Sequence, residues 1–261
     1  MIHAGLGLAR RIEAAEAANA RGCQLGQPGT AILEAGGGVA VFAGPDSPLT
    51  QVIGIGLNGP VSPPELDRIE AFFRSRGAPV TVELCPLADA GLLQALSERP
   101  YRITEFNNVL ARPLTAAADS PNTAVRPAAA GEGDFWSRTV GEGFFEKPEL
   151  TEAEMDVGRA IFAMPGALCY LAFSAEGEAA GGAAMTVHDG LALLFADSTL
   201  SRFRRRGLHR ALIAARLDAA RAAACDFAAA SAFPGSASQR NYERLDFQVV
   251  YTKITMVRIS N

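Results

Sequence analysis

Hydrophobic and polar positions follow two different periods along the C-terminal half of the chain. The apolar run 191–196 is short and continuous, as in a buried strand, and a polar loop rich in arginine follows it at once. Apolar residues then recur with the three- and four-residue spacing of one helix face, at Leu208, Ala211, Leu212, Ala215 and Ala219. This pattern predicts a strand that ends near Thr199 and turns abruptly into a helix reaching about residue 224.

The same order of elements is predicted twice. The C-terminal half continues with a strand at 226–231, a short helix at 239–245 and a strand at 247–258. The N-terminal half gives a strand at 51–57, a helix at 63–76, a strand at 80–84, a helix at 90–96 and a strand at 101–112. Corresponding positions are 146 residues apart, since 247 − 101 and 226 − 80 both equal 146. We interpret the two halves as copies of one unit.

The division between the copies falls at a segment with the composition of a linker. Residues 115–123 are small, polar and contain proline. The sequence therefore predicts an α/β protein with a first unit at 1–114, a linker at 115–123 and a second unit at 124–261. Ahead of these elements, the segment 1–12 is typical of an amphipathic helix.

The loop before the second unit's long helix has the features of an anion site. A strand that runs directly into a helix leaves the first helical N–H groups without partners, at the positive end of the helix dipole. Phosphates bind at such helix starts. Gly207 adds a backbone that a ligand can approach closely. We expect this loop to hold a phosphate or a pyrophosphate.

The first unit has lost these features. The 146-residue offset places 206–210 on 60–64, where three of the five residues are proline and lack an N–H group. Ser62 and Glu65 have the spacing of a capping box that closes the helix start, and the acidic side chains there repel an anion. The first unit is therefore predicted not to bind the ligand.

The arginine cluster alone is also compatible with a solvated basic patch or a nucleic-acid contact. The chain as a whole argues against nucleic acid, because 24 Lys and Arg are outnumbered by 28 Asp and Glu, for a net charge of −4. One basic cluster in an acidic protein suits a small phosphorylated ligand better.

Other partners and compartments are limited by composition. No apolar run is long enough to cross a bilayer, and the N-terminus lacks the charged-then-apolar order of a secretory signal. The four cysteines and three histidines are scattered, without the spacing of a metal site or a disulfide framework. We expect a cytoplasmic protein without a metal and without a membrane or nucleic-acid partner.

Two motifs together resemble the GNAT acyltransferases. The segment 204–209, Arg-Arg-Arg-Gly-Leu-His, is similar to the acyl-CoA loop of that superfamily, written Arg/Gln-x-x-Gly-x-Gly/Ala. The segment 238–247 resembles its later motif, in which a tyrosine precedes Leu-Gly-Phe by a few residues. One helix and one strand separate the two motifs, as in the family. The resemblance implies a mixed-sheet GNAT fold in two tandem units, of which the second binds acetyl-CoA or another acyl-CoA.

The family's roles transfer to matching positions of this chain. The resemblance implies that the strand end would bind pantetheine through its backbone, that the loop amides would cradle the pyrophosphate, and that Asn241 would contact the pantetheine arm. It also implies that Tyr242 would lie beside the CoA sulfur and protonate the departing thiolate. The implied cofactor-binding set is Ser198, Thr199, Leu200, Arg205, Arg206, Gly207, Leu208, His209, Arg210 and Asn241.

The chain departs from the family pattern at two positions. His209 stands where the loop motif has a second Gly or Ala, so its amide could serve while its ring must point away from the ligand or stack on it. Asp246 replaces the glycine before Phe247, and Asp tolerates the left-handed conformation better than most residues.

The remaining catalytic groups are open at this point. Asp197, one strand period before Thr199, is the nearest carboxylate that could relay the proton of the attacking amine, or it caps or bridges neighbouring strands. Glu142 and Glu146 could line the acceptor mouth, or they are surface charges at a helix end. For Tyr242 the alternative is a half-buried core tyrosine.

The function expected from these residues is acyl transfer from acyl-CoA, most simply acetyl-CoA, to a primary amine by direct attack on the thioester. The acceptor would be a small-molecule or peptide amine. The alternatives are a non-catalytic acyl-CoA sensor that uses the same seat, and a nucleotide-phosphate or nucleic-acid binder that uses the arginine loop.

Overall fold

The computed structural model describes residues 5–25, 27–114 and 124–259. In chain order the helices and strands are α1 (Leu6–Gly22), β1 (Ala31–Ala35), β2 (Gly38–Phe42), β3 (Gln51–Ile53), α2 (Pro63–Arg74), β4 (Thr81–Leu84), α3 (Ala90–Ser97), β5 (Tyr101–Pro113), β6 (Val125–Pro127), α4 (Gly133–Phe144), α5 (Glu152–Ala163), β7 (Leu168–Phe173), β8 (Ala179–His188), β9 (Leu191–Thr199), α6 (Leu208–Ala222), β10 (Phe227–Ala232), α7 (Ala237–Glu243) and β11 (Gln248–Arg258).

The chain forms two compact units. Unit 1 contains His3–Val109 and Val249–Asn261, and unit 2 contains Leu110–Gln248. The predicted division at 1–114 and 124–261 follows chain order, whereas β11 packs in unit 1. The predicted linker at 115–123 lies outside the described residues.

Unit 1 is built on a mixed sheet with the strand order β1-β2-β3-β4-β11-β5. The pairs β1–β2, β2–β3 and β4–β11 are antiparallel, while β3 and β4 are parallel. The apolar face of α2 covers this sheet, because Leu66, Ile69 and Phe73 recur at helical spacing and are fully buried with Val52 and Val82.

Unit 2 has the strand order β10-β9-β8-β7-β6, with the end of β5 beside β10. Consecutive residues of β8 face opposite sides of this sheet, as the pleat requires. Ala183 and Met185 pack in the cluster that includes α6, whereas Ala184 packs with Trp136 of α4. The Trp136 ring is fully buried and its Nε1–H donates to the Tyr170 carbonyl at 3.0 Å. Unit 2 therefore has a helical layer on each face of its sheet.

The α/β class and the elements predicted for both copies are confirmed, with shifted ends. The strand predicted at 51–57 ends at Ile53, because Gly54 and Gly56 take φ values of 75° and 77° that break the extended backbone. The helix predicted to reach residue 224 ends at Ala222, and Ala224 has a φ of 56°.

The capping box predicted at the start of α2 forms. The Ser62 N–H donates to Glu65 Oε2 at 3.0 Å, and the Gly36 N–H donates to Glu65 Oε1 at 3.2 Å. These hydrogen bonds lower the pKa of Glu65. The start of α2 therefore carries a carboxylate of the chain itself, that of Glu65. The 146-residue offset aligns this helix start with the loop before α6 in the second unit.

A buried ionic cluster ties β11 to α1 within unit 1. Lys253 Nζ lies 2.9 Å from Glu13 Oε1 and also pairs with Glu16, and the Tyr251 hydroxyl donates to Glu13 Oε1 at 2.8 Å. Glu13 is 1% exposed, and among the described residues its Oε2 has no hydrogen-bond partner. One ammonium thus faces two carboxylates. Burial and the charge of Glu16 outweigh the attraction of Lys253 and raise the pKa of Glu13 from 4.5 to about 7.

We expect Glu13→Gln to change how stability depends on pH. A pKa that is raised in the folded state contributes stability below pH 4.5, and that contribution is lost as pH rises through about 7. The variant lacks this titration. Its unfolding free energy relative to wild type should therefore rise by about 3 kcal/mol from the lower to the higher pH. Urea denaturation of both proteins at several pH values measures it.

The control for this prediction is Glu34→Gln. Glu34 pairs with Arg21 at the surface of the same unit, where its side chain is 62% exposed. Its replacement should change stability by less than about 1 kcal/mol at every pH. A Glu13→Gln difference that is constant over this pH range would contradict the raised pKa.

Candidate active site

A cavity of about 770 Å³ lies within unit 2, between the ends of β9 and β10 and the starts of α6 and α7. It collects most of the residues that the two motifs predict. The predicted site residues on its wall are Asp197, Ser198, Thr199, Arg205, Gly207, Leu208, His209, Arg210 and Asn241. Leu200, Arg206 and Tyr242 do not line it.

The cavity opens where two parallel strands separate. β9 and β10 pair from Leu191 with Phe227 to Leu194 with Ala230, and the pairing ends there although both strands continue. Just beyond, the register of β9 with β8 shifts, and Ala196 has a left-handed φ of 54°. This is a β-bulge, which bends a strand and re-aims its side chains. The result is a wedge between the two strands, walled by 197–199.

The loop before α6 presents unpaired backbone donors to the cavity. Arg205 and Gly207 have φ values of 64° and 81°, and Gly207 occupies the N-cap without a side-chain hydrogen bond. Among the residues that the structure describes, none accepts a hydrogen bond from the N–H groups of 205–210. These six donors at and just before a helix start, with the helix dipole behind them, suit an anion.

The arginines divide into two groups. Arg202 and Arg206 lie over the Phe203 ring, with guanidinium carbons 4.8 and 5.3 Å from its centroid. Arg204, Arg205 and Arg210 line the cavity, and the structure adds Arg240 of α7 and Arg244 at the C-cap of that helix. The two motifs do not point to these arginines, although a spacing of four residues places them on one side of a helix and its C-cap.

Arg204 also connects the loop to α4. Its guanidinium donates to the carbonyls of Thr199 and Gly143 at 3.2 and 3.3 Å and pairs with Glu146 at 2.7 Å. Of the two glutamates considered for the acceptor mouth, Glu146 lines the cavity and Glu142 does not.

Asp197 is the centre of a buried polar network. It forms an ion pair with Arg216, whose side chain is fully buried in α6, and it accepts a hydrogen bond from the Tyr242 hydroxyl at 2.6 Å. His209 Nε2 lies 3.2 Å from its other oxygen. Burial raises the pKa of Asp197, but the charge of Arg216 and the bond to His209 outweigh it and hold the pKa below its usual value. Asp197 therefore stays ionised and bridges three elements.

Tyr242 lies behind the cavity wall. Its side chain is 1% exposed, its ring packs edge-to-face on Phe247, and its hydroxyl proton is donated to Asp197. Burial and the negative charge of Asp197 raise the pKa of Tyr242 well above 10.0. The structure places this hydroxyl on Asp197. The expected role of Tyr242, which is to protonate the thiolate of CoA, stays a prediction.

The backbone of Leu200 has internal partners. Its N–H donates to the Ala180 carbonyl at 2.9 Å, and its carbonyl accepts from the Phe203 N–H at 2.8 Å. Of the predicted strand-end contacts, Ser198 and Thr199 are those on the cavity wall.

The Ser198 hydroxyl is buried on this wall without a partner among the described residues. Gly143 of α4 makes room for it, because a Cβ at Gly143 would lie 2.2 Å from Ser198 Oγ. The glycine lets α4 approach β9 at the bulge.

The ring of His209 turns inward. It is 16% exposed and lines the cavity, its Nε2 faces Asp197, and its Nδ1 lies 3.0 Å from Asn241 Nδ2. The Tyr242 ring packs against it edge-to-face with centroids 5.8 Å apart. The second departure from the motif, Asp246, takes the left-handed φ of 61° that its glycine-like position predicts.

Within the described part of the chain, no group of three or more His, Cys, Asp and Glu side chains could hold a metal ion. The same residues contain no helix long and apolar enough to span a membrane. All four cysteines are buried, and none of them forms a disulfide.

Several solved structures are similar to this chain. A GCN5-related N-acetyltransferase from Kribbella flavida matches 97% of this chain and 96% of its own, with a TM-score of 0.70 and 20% identity. A tandem GNAT protein from the clavulanic acid biosynthesis pathway matches 97% and 93%, with a TM-score of 0.63 and 15% identity. A GCN5-related N-acetyltransferase from Sphaerobacter thermophilus matches 87% and 75%, with a TM-score of 0.59 and 14% identity. No family model matches the sequence, and no curated protein is significantly similar to it.

These similarities establish the fold. The chain has the GNAT fold, and its likeness to a tandem GNAT protein extends over both units. The resemblance inferred from the two motifs is therefore confirmed for the fold.

We expect Asp197→Asn to destabilise unit 2 by about 3–5 kcal/mol, because it leaves the buried Arg216 guanidinium without a counter-charge. The matched control is Asp218→Asn on the same helix, which breaks a pair with Arg221 whose aspartate is 33% exposed. That change should cost no more than about 1 kcal/mol. Urea denaturation measures both, and equal costs would show that the Asp197 pair is not the buried anchor described above.

Proposed function

We propose that unit 2 is an acyl-CoA-dependent N-acyltransferase that transfers an acyl group, most simply acetyl, to a primary amine. The observation that carries this proposal is one cavity that joins three features. They are unpaired amides at a helix start, a wedge between two parallel strands, and an Asp197–His209 pair on the cavity wall.

The outer part of the cavity suits the phosphates of CoA. The amides of 205–210 would bind the pyrophosphate, where the helix dipole and Gly207 allow a close approach. Positive charge around this seat comes from Arg205 of the loop, Arg210 of α6, Arg240 of α7 and Arg244 at the C-cap of α7.

The wedge suits the pantetheine arm. An extended chain with alternating amide groups can add to a strand by main-chain hydrogen bonds, and β9 has no β10 partner beyond Leu194. Ser198 and Thr199 wall this segment, and Asn241 offers a side-chain amide from the opposite side. The buried Ser198 hydroxyl is a further donor for a ligand carbonyl.

In this placement the thioester lies at the inner end of the wedge. The amine nitrogen attacks the thioester carbon, the C–S bond breaks, the sulfur receives a proton and the nitrogen loses one. The chain contributes orientation and the placement of those protons, and no covalent enzyme intermediate is required.

The acceptor would enter from the side of α4. Phe144 and Phe233 line the cavity with side chains that are 64% and 55% exposed, and Glu146 lies beside Phe144. An apolar rim with one carboxylate suits a small-molecule or peptide amine that carries an apolar group.

The test measures binding and turnover separately. Calorimetry with CoA should give saturable binding with one site per chain, and a panel of amines with acetyl-CoA should release free thiol for at least one acceptor class. Tight CoA binding with no thiol release on any amine would instead support a sensor. Salt-sensitive binding to DNA or RNA without CoA binding would support a nucleic-acid contact.

We expect Gly207→Val to weaken CoA binding at least about tenfold, because the new side chain projects into the anion seat. The matched control is Gly177→Val in the turn before β8. Gly177 has a φ of 83° against 81° for Gly207, and a Cβ at either position meets no atom within 4 Å. Both variants share the backbone strain, and only Gly207 lines the cavity. If the calorimetric affinity for CoA falls equally in the two variants, or falls in neither, the phosphate seat does not lie at Gly207.

A further inference from the structure

We propose that His209 is a positioning residue for the cofactor. Its neutral imidazole fixes the side-chain amide of Asn241, so that one N–H of that amide is left to donate to the pantetheine arm of CoA. The proposal rests on the acyltransferase function above and adds a role that neither motif contains. The observation behind it is a chain of hydrogen bonds that starts at Asp197, passes through these two side chains and ends at Arg244.

The place of the ring in the loop decides what it can reach. Residue 209 is Gly or Ala in the loop motif, and its amide belongs to the proposed pyrophosphate seat. The imidazole is attached to that same residue, so it acts at the phosphate end of the arm. It is 16% exposed on the cavity wall, and there it contacts Asn241 of α7. The side chain that replaces Gly or Ala thus meets the one that the resemblance assigns to the arm.

The contact with Asp197 fixes which nitrogen of the ring carries the proton. Asp197 is paired with Arg216 and stays ionised, and an ionised carboxylate only accepts hydrogen bonds. The nitrogen that faces it is Nε2, which lies 3.2 Å from Oδ1, and this nitrogen therefore carries the proton. In the neutral ring Nδ1 is then an acceptor, and it faces the side chain of Asn241.

The two neighbours of Asn241 favour one orientation of its amide. Nδ2 lies 3.0 Å from His209 Nδ1 and donates to it, while Oδ1 accepts from the Arg244 guanidinium at 3.2 Å. The flipped amide would set its oxygen against the lone pair of Nδ1 and its NH2 group against a guanidinium that only donates. The amide is therefore held from both sides. The second N–H of Nδ2 has no acceptor among the described residues, and Asn241 lines the cavity.

This second N–H suits an oxygen of the pantetheine arm. Next to the pyrophosphate the arm carries a hydroxyl group and an amide carbonyl, and the oxygens of both accept hydrogen bonds. A donor that is held in place before the ligand arrives loses little rotational freedom on binding, so it contributes more to affinity than an amide that turns freely. The ring of His209 would thus strengthen CoA binding without touching CoA itself.

Protonation of His209 would reverse this arrangement. An imidazolium donates from both nitrogens, so Nδ1–H would meet the NH2 group of Asn241 and the amide would have to turn. Titratable and charged groups of β9, α6, and α7 with its C-cap contact the ring or share the cavity wall with it. They are Asp197, Arg210, Arg216, Arg240, Tyr242 and Arg244. Asp197 stays ionised and the Tyr242 hydroxyl keeps its proton, so the imidazole is the group here that can change its charge between about pH 5 and 8.

The test is a double-mutant cycle on CoA affinity, measured by calorimetry. Asn241→Ala removes the donor and His209→Ala releases it, so each should weaken CoA binding about 3- to 10-fold at about pH 8, as the loss of one hydrogen bond does. Because His209 acts through Asn241, the double variant should bind no more weakly than the weaker single variant. Losses that multiply in the double variant, or single variants that keep the wild-type affinity, would contradict the proposal.

A ligand without the arm is the control for the phosphate seat. ADP has a pyrophosphate but no pantetheine, so its affinity, measured by competition with CoA, should be the same in the wild type and in His209→Ala. An equal loss of affinity for ADP and for CoA would show that the ring only shapes the loop, and it would overturn the role assigned to His209. His188→Ala removes a histidine of β8 that does not line the cavity, and it should leave the affinity for CoA unchanged.

The pH dependence of CoA affinity is a readout that a purely structural role would not move. The affinity of the wild type divided by that of His209→Ala should be largest at about pH 8 and should fall toward one at about pH 5, where the imidazolium no longer accepts from Asn241. The same ligand is used with both proteins, so the protonation of the CoA phosphates cancels in this ratio. A ratio that stays constant with pH would overturn the proposal.

The outcomes distinguish this proposal from the proposed function. A wild type that binds CoA and acylates an amine, together with losses that multiply in the double variant, would overturn the His209 role and leave acyl transfer intact. A wild type that binds CoA but acylates no amine would contradict the transferase function, while a cycle without further loss in the double variant would still support the positioning of Asn241. A wild type that does not bind CoA would contradict both.

Discussion

The site of unit 2 depends on the ion pair between Asp197 and Arg216. A fully buried guanidinium requires a counter-charge, and the structure supplies it from Asp197 of β9, directly after the bulge at Ala196. Tyr242 and His209 then take their positions from the same carboxylate. One buried pair thus sets the relation of β9, α6 and α7, and these three elements line the cavity.

Periodicity and motif spacing predict much of this architecture. The apolar spacing of α6 and the abrupt turn before it are local properties, so the strand, the loop and the helix can be read from the sequence. The partner of Asp197 cannot be predicted from the sequence. Arg216 is 19 residues away and lies on the helix face that the apolar pattern assigns to the core. The unpaired Ser198 hydroxyl also depends on contacts between distant elements. The motif departure at His209 was visible, but the direction of its ring was not.

The two helices that follow the aligned strands begin in opposite ways. In unit 1 the start of α2 is closed by Ser62 and Glu65, which satisfy free backbone groups and place a negative charge at the dipole. In unit 2 the start of α6 has Gly207 in place of a capping side chain, and its donors face the cavity. The first turn of α2 is thus capped by the chain itself, whereas the first turn of α6 leaves its donors available for an anion.

The placement of β11 has a consequence for how the chain reaches its native state during synthesis. This strand lies between β4 and β5 in unit 1, yet it leaves the ribosome after all of unit 2. Until then unit 1 lacks an interior strand, and the facing edges of β4 and β5 are open to wrong pairing. Burial of Lys253 among the glutamates of unit 1 must also wait for this strand. Unit 2 can therefore mature first, and unit 1 closes by a long-range step of the kind that makes folding slow.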